Sequence, residues 1–177
     1  MSSKKRLYLY EALELRGEYD GRIKTLKDCL PESKQNRDRF GFRRDEGEKR
    51  RPSPDFDVAD ARKQLAALEF KRRKINSAIQ KANFNHLIEF RGESINLSEA
   101  LELRKSLNER IGELHSQTAN ASYQRVIYTE GRDIVEENEV SYSDSIKALD
   151  DARLSFRELN RKIRLASFEL QVDYLDE

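Results

Sequence analysis

The feature that most constrains this chain is an internal repeat, because a sequence that matches itself is built from one structural unit used more than once. Residues 9–26 read LYEALELRGEYDGRIKTL, and residues 97–114 read LSEALELRKSLNERIGEL. Ten of these eighteen positions are identical at an offset of 88. Unrelated segments of this length share roughly one position at average residue usage. The match therefore predicts a tandem duplication.

A second match at the same offset extends the predicted repeat to the rest of the chain. Residues 73–75 and 161–163 both read RKI, and Ala78 falls on Ala166. The offset is about half the chain length. We therefore predict two repeats, 1–88 and 89–177, each made of a helix, a connector and a second helix.

The composition favours long helices with solvated faces. Charged residues make up 38% of the 177 residues, against about 25% in an ordinary soluble domain. The chain holds only 7 Gly and 3 Pro. A β-sandwich or β-barrel needs many turns, so the scarcity of turn-forming residues excludes both.

The same composition limits the compartment and the kind of partner. A single Cys excludes a disulfide framework and favours a reducing compartment, so we expect a cytoplasmic protein. No apolar run approaches the ~20 residues of a membrane span, and we expect neither a signal peptide nor a membrane partner. Because the net charge is only +1, an electrostatic partner must bind a local patch.

The first repeat is predicted to hold helices over about 5–30 and 58–85. Asp57 is expected to cap the second of these, because its carboxylate can accept hydrogen bonds from the free amides of the first turn. Apolar residues recur at spacings of three and four in both helices, which predicts one buried stripe on each. The stripe residues are Leu9, Leu13, Tyr19, Ile23, Leu26 and Leu30 in the first, and Val58, Ala61, Leu65, Leu68, Ile75, Ile79 and Ala82 in the second.

The second repeat is predicted to hold helices over about 97–120 and 144–174. Asn96 followed three residues later by Glu99 is a capping-box pattern. The last helix carries an uninterrupted apolar seam with the 3.5-residue spacing of helical bundles and coiled coils. The seam residues are Leu149, Ala152, Phe156, Leu159, Ile163, Ala166 and Leu170.

Four amphipathic helices can cover their stripes by packing antiparallel at about 20°. We therefore predict an all-α fold, an antiparallel four-helix bundle formed by a duplicated helical hairpin, as a single domain over 1–177. β-branched and aromatic residues with Gly92 and Gly131 at turns predict minor β structure in the connectors.

The connectors inside the two repeats carry opposite charge. From Lys34 to Arg51 there are eight basic and four acidic residues, a net charge of +4. From Glu130 to Asp151 there are eight acidic and two basic residues, a net charge of −6. The first connector, 31–57, lacks periodicity and is polar enough to form a mobile basic loop.

The basic loop allows three interpretations, which the sequence leaves open. It is a solvated insertion, or it docks onto the acidic 130–151 segment of the same or a second chain, or it binds nucleic acid. Basic residues interleaved with aromatic ones bind phosphates and stack on bases. The candidate electrostatic residues are Arg43, Arg44, Arg50 and Arg51.

An arginine interrupts the apolar stripe in both copies of the EALELR motif, at Arg16 and Arg104. Each can bind a carboxylate or a helix-end carbonyl and fix the packing register. Alternatively, the two arginines form a candidate anion-binding pair.

Other chemistry has little support in the sequence. A di-metal helical bundle needs Glu-x-x-His, and neither His86 nor His115 has Glu three residues earlier. Cys29 lies at a helix end without an evident histidine partner. Nucleotide-binding, serine-hydrolase, zinc-protease and CxxC motifs are absent from the sequence. We expect no metal, no cofactor and no catalytic residue.

Several motifs resemble the septicolysin-like family of small bacterial helical proteins. Members of that family carry an EAL-x-x-R motif near the start and a Gly…Leu-Thr-Glu-Ala-Leu motif in the middle. This chain has EALELR at 11–16 and GESINLSEAL at 92–101, with Arg-Ile pairs at 22–23 and 110–111 and IQKAN at 79–83. The resemblance implies a compact helical fold in a bacterial cytoplasm and no established biochemical role.

The sequence thus favours a non-enzymatic helical interaction or scaffold protein. We predict that it self-associates or serves as an accessory subunit of a bacterial complex, with another protein chain as its partner. One alternative is a nucleic-acid-binding protein that uses the basic 34–51 loop. The other is an enzyme or small-anion binder with a site between helices.

Overall fold

The computed structural model describes residues 6–31, 52–129, 131–136 and 138–175. Within these ranges the chain is mainly helical with small β-hairpins, as predicted. The elements in chain order are β1 (Leu7–Tyr8), α1 (Leu9–Cys29), α2 (Val58–Asn85), β2 (Leu87–Phe90), β3 (Glu93–Asn96), α3 (Leu97–Ala121), β4 (Arg125–Thr129), β5 (Arg132–Glu136), α4 (Tyr142–Glu169) and β6 (Gln171–Val172).

The chain divides into two compact units. Unit 1 comprises Met1–Ala82 with Glu169–Glu177, and unit 2 comprises Asn83–Phe168. Unit 1 therefore holds α1, most of α2 and the strand pair β1–β6, and unit 2 holds α3, most of α4 and the hairpins β2–β3 and β4–β5. The four-helix bundle and the single domain over 1–177 stay predictions. No helix of the described ranges is long and apolar enough to cross a membrane.

Ion pairs between α1 and α2 define their orientation in unit 1. Asp20 Oδ1 lies 2.9 Å from Arg72 Nε, and Lys27 Nζ lies 2.6 Å from Glu69 Oε1. The residue number on α1 thus rises from 20 to 27 while that of its partner on α2 falls from 72 to 69. The two helices are antiparallel.

One strand pair in unit 1 and one strand pair in unit 2 have an equivalent register. In unit 1, β1 pairs antiparallel with β6, and Leu7 lies opposite Val172. In unit 2, β2 pairs antiparallel with β3, and Ile95 lies opposite Ile88. Leu7 and Ile95 are 88 positions apart, whereas Val172 and Ile88 are 84 apart, and the tandem duplication stays a prediction.

The first helical amide in each unit is bonded next to its strand pair. Leu9, the first residue of α1, donates from its amide to the carbonyl of Leu170 at 2.8 Å. Leu97, the first residue of α3, donates to the carbonyl of His86 at 2.9 Å. These bonds satisfy amides that a helix start leaves without an intrahelical partner.

The structural correspondence of the second helices differs from the predicted offset of 88. Helices α2 and α4 are both 28 residues long, and both their first and last residues are 84 positions apart. Buried Ile75 then corresponds to buried Leu159, and Ile79 to Ile163. Because four residues are about one helical turn, both alignments keep apolar residues on one face.

The buried stripe of α1 passes through Ala12 rather than Leu13. Ala12 is fully buried, whereas Leu13 is 37% exposed, so the prediction that Leu13 lies in the stripe is wrong. In α3, the corresponding Ala100 is also buried. A small side chain at this position allows close approach of the neighbouring segment, which a leucine would prevent.

Both ends of the chain were predicted as helix where strands form. Helix α4 ends at Glu169 instead of continuing to 174, and β1 occupies Leu7–Tyr8 at the predicted start of the first helix. The reason is tertiary, since these two segments pair with each other as β1 and β6. A two-residue strand carries no periodicity that a sequence pattern can detect.

The predicted caps of α2 and α3 are confirmed. Asp57 Oδ1 accepts hydrogen bonds from the amides of Ala59, at 2.8 Å, and Asp60, at 3.2 Å. Asn96 Oδ1 accepts from the amide of Glu99 at 2.9 Å, and the Glu99 carboxylate accepts from the amide of Asn96 at 2.8 Å. This reciprocal pair forms the capping box.

The first prediction tests the corrected stripe. Leu9→Ala should lower the free energy of unfolding by about 2–5 kcal/mol, because Leu9 is 3% exposed and its removal leaves a cavity. The matched control Leu13→Ala should cost less than about 1 kcal/mol, because Leu13 is already partly solvated. Urea denaturation followed by circular dichroism measures both. Equal losses would contradict the assignment.

The second prediction contrasts two glycines. Gly21 lies within α1 with open space where a Cβ would be, so Gly21→Ala should raise the free energy of unfolding by up to about 1 kcal/mol. Gly92 has φ +85 in the two-residue turn between β2 and β3, a conformation that strains alanine. Gly92→Ala should therefore lower the free energy of unfolding. Thermal unfolding of both variants shows whether each change raises or lowers stability. Stabilisation by Gly92→Ala would contradict the claim that this turn strains alanine.

Candidate functional site

An exposed face of α4 carries a shallow apolar cavity bordered by arginines. Its volume is about 400 Å³. Leu165 is 49% exposed and Phe168 is 59% exposed, and Leu154 lies on the same face two helical turns before Arg161. We call this the α4 surface and define it as Leu154, Phe156, Arg157, Arg161, Arg164, Leu165 and Phe168.

The remainder of α4 explains why this face is exposed. Leu149, Leu159 and Ile163 form the buried stripe of the helix. The β2–β3 hairpin covers a further part of α4, because the Arg91 guanidinium donates to the hydroxyl of Ser155. The Lys162 ammonium also donates to a backbone carbonyl of that hairpin, at position 89. The α4 surface lies outside these contacts.

The arginines of the α4 surface have no acidic partner among the described residues. Within the described ranges, the guanidinium groups of Arg157, Arg161 and Arg164 form no ion pair and no hydrogen bond. By contrast, Arg153, one turn before Arg157, contacts Asp150 Oδ1 at 3.4 Å. Three cationic groups beside exposed apolar side chains form a surface suited to an acidic, amphipathic partner.

Comparison with α2 shows which part of this surface is particular to α4. At the 84-residue correspondence, Phe70 matches Leu154 and Phe84 matches Phe168, and all four side chains are exposed. The arginine at 161 has Ser77 as its counterpart, however, and Arg164 has a glutamine. The apolar positions thus occur on both second helices, and the run of three arginines occurs on α4.

The sequence-predicted Arg16 forms a contact between α1 and α2. Its guanidinium donates to Asn76 Oδ1 at 3.2 Å in a half-buried position. Arg104 corresponds to Arg16, and Asn160 corresponds to Asn76, but the side chains of Arg104 and Asn160 form no hydrogen bond within the described ranges. The acceptor of Arg16 is a side-chain amide oxygen on α2, not the predicted carboxylate or helix-end carbonyl, and the register interpretation stays a prediction. The anion-binding interpretation stays a prediction.

The predicted basic loop cannot be placed against these elements. Arg43, Arg44, Arg50 and Arg51 lie outside the described residues, and so do positions 32–51 of the predicted mobile loop 31–57. Cys29 is exposed at the end of α1. No group of three or more metal-ligating side chains occurs in the part of the chain that the structure describes.

A second cavity in unit 2, of about 320 Å³, lies between α3 and α4. His115 and Arg153 line it, at the positions that correspond to the Lys27–Glu69 ion pair of unit 1. An opposite-charge pair is thus replaced by two side chains that can both carry positive charge. An anion bound in this cavity between α3 and α4 would contact His115 and Arg153.

Sequence reasoning missed the α4 surface, although its signal was present. The predicted seam absorbed the apolar residues of α4 at 3.5-residue spacing, and Leu154, Leu165 and Phe168 fall outside that seam. Their spacings of 11 and 3 residues define a second apolar face, and Arg157, Arg161 and Arg164 lie between Leu154 and Leu165. A helix with two apolar faces needs two partners, which is the inference that the sequence allowed.

No protein-family model matches this chain, and no curated protein matches it. A solved structure described as a functionally unknown conserved protein from Corynebacterium diphtheriae has a similar fold, with a TM-score of 0.63. It is 18% identical, and the match covers 96% of this chain and 100% of that chain. At this identity the likeness shows the fold alone.

The third prediction tests the register interpretation. A double-mutant cycle of Arg16→Met and Asn76→Ala should give a coupling energy of about 0.5–1.5 kcal/mol, the usual net value of one hydrogen bond. The control cycle uses Arg104→Met and Asn160→Ala, which occupy the corresponding positions without a bond, and should give a coupling near zero. Urea denaturation supplies the free energies. Coupling of the same size in both cycles would argue against a specific Arg16 contact.

Proposed function

We propose that this chain is a non-enzymatic interaction protein, and that its α4 surface is where a protein partner docks. The observation that carries the proposal is that exposed Leu165 and Phe168 share one helical face with three arginines that form no ion pair among the described residues. Apolar patches bordered by charge mark docking sites on soluble proteins. Arginine and aromatic side chains also supply most of the binding free energy in protein interfaces.

The aliphatic side chains of this surface favour a protein partner over nucleic acid. Leu154 and Leu165 are aliphatic and cannot stack on bases, whereas they fit the apolar stripe of an amphipathic helix or strand. Nucleic-acid binding by the 34–51 loop is a separate alternative, which predicts salt-sensitive mobility shifts that disappear when this loop is removed.

An anion binder or enzyme with a site between helices is the other alternative. His115 and Arg153 beside the cavity between α3 and α4 are the observation in its favour. Arg153, however, contacts Asp150, which competes with an anion for that guanidinium. The docking proposal depends on no such competition, since the arginines of the α4 surface form no ion pair in the described ranges.

The septicolysin-like resemblance and a cytoplasmic location belong to the same proposal. The resemblance implies no established biochemical role, and the similar solved structure is described as functionally unknown. Neither assigns a reaction that competes with docking.

The fourth prediction tests docking in the cell that makes the protein. A photo-reactive benzoylphenylalanine introduced at Leu165 should form one discrete protein adduct on irradiation, because its side chain lies within the α4 surface. Charge reversal by Arg157→Glu with Arg161→Glu should reduce the adduct about tenfold or more, since it replaces attraction with repulsion. Denaturing electrophoresis and mass spectrometry measure the adduct.

The matched control places the same photo-reactive residue at Lys105, an exposed position on α3. It should give no discrete adduct. The proposal fails if Leu165 and Lys105 give the same products, or if the adduct at Leu165 is insensitive to the two charge reversals.

A further inference from the structure

We propose that the outer face of α2 binds single-stranded nucleic acid. We call this face the α2 surface and define it as Lys63, Phe70, Arg73, Lys74 and Lys81. All five side chains are exposed, and all five residues belong to unit 1. The inference goes beyond the proposed function, because it concerns another helix and another class of partner.

The helical period places these residues on one face. The three lysines and the phenylalanine are spaced by 7, 4 and 7 residues, which is the spacing of one row along a helix. The fully buried Ile75 and Ile79 each follow a residue of this row, Phe70 and Lys74, by five positions, which is about 140° around the helix axis. The α2 surface therefore points away from the buried stripe of its own helix.

The cations of the α2 surface form no ion pair in the part of the chain that the structure describes. Helix α2 carries seven basic and two acidic residues, a net charge of +5, whereas the entire chain has a net charge of +1. Both acidic side chains bond elsewhere. Asp60 Oδ2 accepts from the side-chain amide of Gln64 at 2.6 Å, and Glu69 Oε1 lies 2.6 Å from Lys27 Nζ. No carboxylate of α2 thus neutralises this positive face.

Phe70 adds an exposed aromatic ring to the positive face. The residue is 52% exposed. The guanidinium carbon of Arg73 lies 5.9 Å from the ring centroid, and Nζ of Lys74 lies 5.4 Å from it. A base stacked on this ring would therefore have its phosphates within reach of two cations. Proteins that bind single strands combine these two elements, since cations follow the phosphates and aromatic rings stack on the bases.

The apolar residues of α2 favour nucleic acid over a membrane or a protein. Within α2, which the structure describes in full, the exposed large apolar residues are Phe70 and Phe84, and they are about four turns apart. A helix that lies on a membrane needs a continuous apolar face, which two separated rings do not provide. A protein partner would likewise find no contiguous apolar patch here.

Helix α4 shows that the uninterrupted row of cations is particular to α2. At the 84-residue correspondence, Glu158 takes the place of Lys74, and Leu165 takes the place of Lys81. Helix α4 thus has a carboxylate and an aliphatic side chain where α2 has two cations. The two second helices therefore suit different partners, a protein at α4 and a polyanion with bases at α2.

The fifth prediction is measured by fluorescence anisotropy of a labelled single strand of about 12 nucleotides, either oligouridine or oligodeoxythymidine, added to the purified full chain. The wild-type chain should bind at low salt. The logarithm of its binding constant should fall with the logarithm of salt concentration at a slope of about −3, as expected for four phosphate contacts on a single strand. Lys74→Glu with Lys81→Glu should weaken binding about tenfold or more and roughly halve the slope.

The matched control is Lys105→Glu with Lys147→Glu. It makes the same change in net charge at exposed positions on α3 and α4, so the affinity should stay within about threefold of wild type. Circular dichroism verifies that each variant keeps its helices. If a double variant unfolds, the single changes Lys74→Gln and Lys81→Gln replace it, and each should lower the salt slope by about 0.7.

Phe70 tests the stacking contact separately from charge. Phe70→Leu should weaken binding about tenfold, because it removes the ring and keeps an apolar side chain. The sequence contains no tryptophan, so Phe70→Trp introduces a single indole into the α2 surface. Its fluorescence should be quenched when the probe binds, since a stacked base deactivates the excited ring. Tyr123→Trp, at an 82% exposed position in unit 2, should keep its fluorescence.

Three results overturn the inference at the level of the site. They are no binding of either strand at low salt, equal weakening by Lys74→Glu with Lys81→Glu and by its control, and an unquenched indole at position 70. Loss of binding through Arg43→Glu with Arg44→Glu, but not through the α2 variant, assigns the nucleic acid to the 34–51 loop and also overturns it.

Other probes test the class of ligand. The same strand annealed to its complement should bind about tenfold more weakly, because its bases cannot stack on Phe70. Polyglutamate and vesicles of phosphatidylcholine with phosphatidylserine should also bind more weakly at equal charge. Equal binding of any of these probes rejects single-stranded nucleic acid as the ligand. The adduct at Leu165 lies on α4 and reports on the proposed function independently of every result here.

Discussion

A helical hairpin can bury only the side of each helix that faces its neighbour, and this limit shapes the protein. In α1 and α3 the buried stripe is narrow enough for alanine, at Ala12 and Ala100, to occupy its most buried positions. The other faces of the helices are left to solvent, which accounts for a chain in which 38% of residues are charged. An apolar residue on such a face is therefore informative, because the fold gives it no cover.

Short strand pairs and caps fix where the helices begin. The amides of Leu9 and Leu97 each donate to a carbonyl just beyond another helix, and the adjoining strands pair in equivalent register. Because the first turn is held in this way, both the position of the helix along its axis and its orientation about that axis are fixed. In α1 this rotation buries Ala12 and exposes Leu13. In unit 2, helix α4 exposes its second apolar face.

The α4 surface combines two properties on one helical face. Leu165 and Phe168 would gain free energy by leaving water, at about 25 cal/mol per Å² of apolar surface buried. The arginines beside them, which form no ion pair with the described part of the chain, favour an acidic partner and disfavour basic ones. They therefore contribute specificity and association rate more than affinity.

The sequence by itself determined the mainly helical class, the bounds of α2, and the caps at Asp57 and Asn96, because periodicity and capping are local properties of a helix. The tertiary structure alone decided the strands at the chain ends, the choice of Ala12 over Leu13, and the correspondence of α2 with α4. Each of these depends on residues far apart in the chain. A shift of one helical turn leaves an apolar pattern almost unchanged, and only packing against a neighbour distinguishes the alternatives. For the α4 surface, the sequence identifies the apolar and basic residues of the second face, but their exposure depends on the fold.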